Sequence, residues 1–139
     1  MMNPEIGVSA VLTRTAPSGK EVLLVQRQHQ PQAGCWALAG GHVEFGEPVK
    51  DALKREIQEE LMVTVSVGVL LYVAELIGQD YHFVVLDYAA EVQSGELRAG
   101  SDAAAMRWYG KGDLEGLPLA EGMVQFFQHP DVVRFLEWG

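Results

Sequence analysis

Cationic side chains are scarce in this chain: 10 Lys and Arg stand against 19 Asp and Glu, a formal charge of −9. A protein that grips DNA or RNA polymers needs a basic footprint to displace counterions, so a nucleic-acid polymer is not an expected partner. Cysteine is nearly absent. Cys35 is the single one, which excludes an internal disulfide framework and fits a reducing compartment. Its sequence neighbours include no His or Lys that would mark a nucleophile, so it reads as a spectator thiol. No apolar run approaches the roughly 20 residues of a membrane span. The start carries Glu5 and no basic stretch before an apolar run, so a signal peptide is not expected either. These absences predict a cytoplasmic protein. Low-complexity tracts and internal repeats are missing as well, and 139 residues suit a single domain, 1–139, with a real hydrophobic core.

What is present alternates between strand-like and helical patterns. Residues 6–14 read as a strand, 13–20 with Pro17-Ser18-Gly19 as a loop or hairpin turn, and 21–27 as a strand buried on both sides at its centre. A polar loop spans 28–34, and a short strand at 36–38 leads into a Gly40-Gly41 turn. A helix is predicted from about Pro48, where the missing N–H of proline suits the first turn, to Leu61. Leu53, Ile57 and Leu61 form its apolar stripe, and Asp51, Lys54 and Gln58 face water. Residues 63–77 and 81–92 read as a hairpin about Gly78-Gln79-Asp80, followed by a loop at 93–102 and a last strand at 104–109. A helical turn at 113–115 and helices at 121–127 and 131–138, broken at His129-Pro130, complete the order β-β-β-α-β-β-β-α.

The most informative stretch is 41–63. Glu56, Glu59 and Glu60 stand at i, i+3 and i+4, which on a helix gathers them into one strip roughly 100° wide. Three carboxylates on one strip repel each other unless a cation sits among them. Hard oxygen ligands favour Mg²⁺ or Mn²⁺, metals that bind phosphate substrates and reverse the sign of an acidic site. A solvated acidic face that binds nothing is the plainer alternative.

The rest of the pattern bears on that choice. The stretch resembles the Nudix box, G-x5-E-x7-R-E-U-x-E-E-x-G-U with U aliphatic, and Gly41, Glu47, Arg55, Glu56, Ile57, Glu59, Glu60 and Val63 fall on its fixed positions. Two departures stand out: Met62 occupies the place of the last Gly, and Leu38-Ala39 precede Gly40-Gly41 where Pro-Gly-Gly is common. Neither touches a carboxylate. The resemblance implies an α/β/α sandwich with a mixed sheet and a loop-helix-loop box. It also implies metal-dependent attack of water on a diphosphate linkage.

By the same resemblance Glu56, Glu59 and Glu60 are metal carboxylates joined by the Gly40 carbonyl, while Glu47 and Arg55 form a structural pair beside Gly41. The proton acceptor is Glu56 or, from a later loop, Asp102; as a plain turn residue Asp102 has the second role open to it. Glu44 is either a support of the ligands or an exposed turn residue. Arg27, Phe45, His82 and Phe83 are candidate substrate contacts, with His42 a further histidine of interest. Trp36, Phe45, Tyr81 and Phe83 offer faces for a nucleobase unless they are core.

Two local likenesses point to different substrates. Gly40-Gly-His-Val-Glu-Phe-Gly-Glu47 with Tyr81-His82-Phe83 is similar to nucleoside triphosphate diphosphatases of the family. The run 95–102 with Arg107-Trp108 is similar to ADP-ribose pyrophosphatases. The expected activity is conversion of a (d)NTP or modified nucleotide to monophosphate plus pyrophosphate, with ADP-ribose hydrolysis the alternative. An inactive nucleotide-binding module is the rival from another class. A homodimer through the apolar C-terminal segment is a further expectation, by analogy.

Overall fold

A computed structural model describes residues 3–30, 32–100 and 103–139. Among them eight strands form two four-stranded sheets. In the first the order is β5 (Ala39–His42), β1 (Glu5–Val11), β7 (His82–Gly95) and β6 (Val63–Ile77), with β1 and β7 parallel and the other pairs antiparallel. In the second, β2 (Thr13–Ala16), β3 (Gly19–Arg27) and β4 (Trp36–Ala37) lie in order, and β8 (Ala103–Tyr109) also pairs with β3. Helix α1 (Val49–Leu61) packs on one side, with α2 (Met123–Gln128) and α3 (Pro130–Leu136) on the other. This is the expected α/β/α arrangement with a mixed sheet.

Side-chain alternation explains the layering. Along β3, Leu23 and Val25 enter the core under α1, and Val22 and Leu24 enter the core under α2 and α3. A strand covered on both faces reads as a continuous apolar run, which is how 21–27 looks in sequence. On α1, Leu53, Ile57 and Leu61 are fully buried, each worth roughly 1.5–3 kcal/mol relative to exposure. The neighbouring flank, carrying the glutamates, is turned toward β5, with Glu56 and Glu60 half-buried.

Several expectations change. Gly40-Gly41 is part of β5, paired with Ser9 and Val8 of β1, and makes no turn. Pro48 is the residue before the helix, at φ −60° and ψ 141°, and its carbonyl accepts the Ala52 N–H at 3.0 Å. The stretch 13–16 forms a hairpin with β3, β7 runs on to Gly95, and the short 3₁₀ turn lies at Lys111–Asp113. The C-terminal apolar segment is spent inside its own chain, for Val132 and Leu136 are fully buried and Trp138 nearly so. Val124 in the same segment is half exposed. Four of the exposed large apolar side chains lie together on β6, at Val69, Leu70, Val73 and Ile77.

Met62 closes α1 in the left-handed conformation, φ 64° and ψ 26°, with its N–H on the Gln58 carbonyl at 3.1 Å. The chain thus keeps the geometry that glycine would serve and carries a side chain there at a cost of about 1–2 kcal/mol. Met62→Gly should raise the melting temperature by roughly 3–5 °C, a gain of about 1 kcal/mol. A thermal melt showing no rise would mean that the Met62 side chain, half exposed, recovers the strain through contacts.

Candidate active site

Arg55 organises the box. Its Nε and Nη2 donate to the two Glu47 carboxylate oxygens at 2.9 and 3.0 Å, a two-pronged clasp between the helix and the loop before it. Nη2 also donates to the His42 carbonyl at 3.0 Å, tying in the end of β5. Nη1 donates to Glu56 at 2.8 Å and lies 3.6 Å from Glu59. One guanidinium therefore joins strand, loop and two box glutamates. The hydrogen bond from Arg55 holds the Glu47 carboxyl below the usual carboxylate range, and Glu47 in turn raises the Arg55 guanidinium further from deprotonation. Glu44 contributes its backbone, its N–H donating to Glu47 at 3.1 Å.

The glutamates face β5. Glu60 accepts the Gly40 N–H at 2.9 Å. Glu56 lies directly against Gly41, so close that a β-carbon at that position would fall on its carboxylate. On the other side of the strand, a β-carbon at Gly40 would fall on the Val8 carbonyl. The two glycines are there because β5 is pressed between β1 and the acidic flank of α1. Glu59 is 53% exposed at the strip's outer edge. Among the described residues no three acidic, His or Cys side chains converge on one point; each box glutamate faces an N–H or the Arg55 guanidinium instead. Like charges on one helical strip spread apart in this way. The donor set is nonetheless hard oxygen throughout, and Glu56 and Glu60 border an open cavity, which suits a divalent cation. Asp102 lies outside the described residues.

Two cavities meet at this strand. One, of about 350 Å³, is bordered by Glu56, Glu60, Gly40, Gly41, His42 and Arg27. The other, of about 230 Å³, lies between the sheet face of β1 and β7 and the chain at 120–126. Arg27, Leu38, Gly40, Gly41 and His42 border both. The ring of Phe83 stacks on Tyr81, 5.7 Å between centroids at 26°, and tilts against His42 at 5.5 Å, all three at the second cavity.

The sequence-predicted contacts are thus divided. Arg27 and Phe83 border the cavities. His82 does not: it pairs with Glu75 at 2.9 Å. Phe45 is fully exposed on the loop before α1 and borders neither cavity, because nothing opposes that loop. Trp36 is core, edge-on to Tyr109 at 5.3 Å.

Sequence reading missed Asp87, the one buried charged side chain among the described residues, 4% exposed and bordering the second cavity. Burial pushes its carboxyl up to about 7, against the lowering effect of a hydrogen bond from the Ser9 hydroxyl. The signal was an acid set within the apolar run Phe83-Val-Val-Leu-Asp-Tyr-Ala-Ala90.

Known proteins match this geometry along most of the chain. The family model for the NUDIX domain matches residues 3–129. The ADP-ribose pyrophosphatase of Methanocaldococcus jannaschii is 31% identical over 140 residues, covering 99% of this chain and 76% of the relative. The CTP pyrophosphohydrolase of Escherichia coli is 39% identical over 98 residues, covering 66% and 70%. A crystal structure of a MutT NUDIX hydrolase from Burkholderia pseudomallei superposes with a TM-score of 0.77 at 36% identity, over 86% of this chain and 92% of that one. With the box, the clasp and the sandwich all in place, the chain belongs to the Nudix hydrolases, pyrophosphohydrolases that act on nucleotide derivatives.

Proposed function

We propose that this chain hydrolyses a nucleoside triphosphate, or a modified one, to the monophosphate and pyrophosphate, with Mg²⁺ or Mn²⁺. The observation that carries the reading is the pair of cavities with a common wall. The apolar one, at about 230 Å³, falls below the roughly 300–1,000 Å³ that accommodates drug-sized ligands. It suits one nucleobase, with the phosphates outside it along the acidic cavity.

Glu56, Glu59, Glu60 and the Gly40 carbonyl are the groups that would hold the cation. When bound, it would screen phosphate charge and lower the pKa of a water. The chain's own part is positioning. Arg55 fixes Glu56 and keeps Glu59 within 3.6 Å, so the acidic strip is presented in one arrangement. Glu56, half-buried against Gly41, is one candidate to accept the proton of the attacking water, and Asp102 is the other. Arg27 borders both cavities and meets the phosphate nearest the sugar. Phe83 and Tyr81 offer a stacking face for the base.

ADP-ribose is the second reading, favoured by the 31% identity to the archaeal ADP-ribose pyrophosphatase. A Mg²⁺-dependent hydrolysis screen with dNTPs, 8-oxo-dGTP, ADP-ribose and dinucleoside polyphosphates separates them by product. Monophosphate with pyrophosphate is the expected result. AMP with ribose 5-phosphate as the dominant outcome would replace the first reading with the second. Binding without turnover of any compound would favour an inactive module.

A further inference from the structure

Asp87 has no part in the box, yet it is the one charged side chain among the described residues that the fold buries. It lies in the middle of β7 beside Ser9 of the parallel strand β1. Its neighbours Leu86 and Tyr88 point into the core under α1, so Asp87 shares the other face with Phe83 and Val85, which border the base-sized cavity. The Ser9 hydroxyl donates to it. A carboxylate has room for about four such bonds, and among the described residues Ser9 is the one side chain found donating to it, which leaves most of its accepting capacity unused. The other acid at this cavity, Glu121, is already engaged at the rim, where it accepts from Tyr81 at 2.5 Å and from Gln32 at 3.4 Å. A buried acid with few donors destabilises a fold, and an apolar side chain of similar size would serve packing better. A ligand bringing N–H groups supplies what this position needs.

We infer that Asp87, backed by Ser9, reads the nucleobase: its carboxyl oxygens accept from the N1–H and the 2-amino group of a guanine-type base lying in the cavity. This rests on the proposed nucleotide reaction for the site. Guanine is the base whose pairing edge sets two donors side by side. Adenine and cytosine set one donor beside an acceptor, and uracil and thymine set one donor between two acceptors. An acceptor-rich floor therefore selects guanine, and a site built around a substrate N–H discriminates strongly against the analogue without it.

The test compares kcat/KM for dGTP and dITP, which differ only in the 2-amino group, in the unmodified enzyme, Asp87→Val and Asp87→Asn. The unmodified enzyme should favour dGTP by about tenfold or more, one well-made hydrogen bond in an enclosed site. Asp87→Val should bring the ratio to within about twofold while the protein melts no lower, and this combination separates a reading role from a structural one. Asp87→Asn is nearly isosteric and covers the case in which the valine variant fails to fold; it should give an intermediate ratio and improve dATP relative to dGTP. A dGTP-to-dITP ratio near one in the unmodified enzyme, or an unaltered ratio in the folded variants, overturns the inference. If no triphosphate is hydrolysed at all, the nucleotide reaction falls instead. Equilibrium binding of dGMP and dIMP to the same proteins then decides Asp87, and equal affinities overturn its role.

Discussion

Glu59→Gln should slow triphosphate hydrolysis by about a hundred-fold or more and leave the melting temperature within about 2 °C. The exchange removes a charge and almost no volume from a side chain that is 53% exposed and makes one longer contact, 3.6 Å to Arg55. Its contribution to the fold is correspondingly small, since exposed ion pairs are worth about 0–1 kcal/mol. Its contribution to the reaction is large if the acidic strip holds the cation, because an amide is a much poorer ligand for Mg²⁺ than a carboxylate. A titration of rate against Mg²⁺ should show the variant needing more metal as well as turning over more slowly. Unchanged kinetics would remove Glu59 from the metal site and with it the simplest reading of the strip.

Gly41→Ala should be nearly as damaging to activity, by a different route. The new methyl group would fall on the Glu56 carboxylate, which Arg55 holds at 2.8 Å. Either β5 shifts away from α1 or Glu56 swings out of place. The first destabilises by about 1–3 kcal/mol, as overpacking does. The second costs a ten- to hundred-fold loss of rate, the usual penalty for misplacing a group that orients ligands. The double variant Gly41→Ala with Glu56→Gln tells whether the effect runs through Glu56. If it does, the two losses are far from additive. Additive losses would mean that Gly41 matters for the strand alone.

How much of this could be read from the chain depends on how local each cause is. The box glutamates, Arg55 and the buried stripe of Leu53, Ile57 and Leu61 all lie on one helix, where spacing translates directly into a face. The clasp between Arg55 and Glu47 crosses a short loop and was expected only from the resemblance of the stretch to the Nudix box. The strand at Gly40-Gly41 was not. Glycine has little strand preference, and the reason for it here is the approach of Val8 on one side and Glu56 on the other, contacts made only by the tertiary fold. Asp87 shows the same limit, for it matters through Ser9 and the cavity, both brought to it by strand pairing. Phe45 errs the other way: an aromatic in a conspicuous motif, left without anything to stack on. Asp102, the outside candidate for the proton acceptor, lies beyond the described residues and stays with the kinetics to decide.

If the two cavities hold base and phosphates as proposed, the wall common to them would make the protein a ruler. Arg27, Leu38 and the strip Gly40–His42 border both the smaller hollow and the acidic one, so on the proposed reading the depth at which a base came to rest would fix how far its phosphates extend over the glutamates. A base that stops short would still bind, but with the wrong phosphorus, or none, in line with the attacking water. Misplacements of about 1 Å can cost a hundred-fold in rate. Poor substrates should therefore behave as competitive inhibitors whose binding approaches that of good ones, and the choice among nucleotides would be made in kcat.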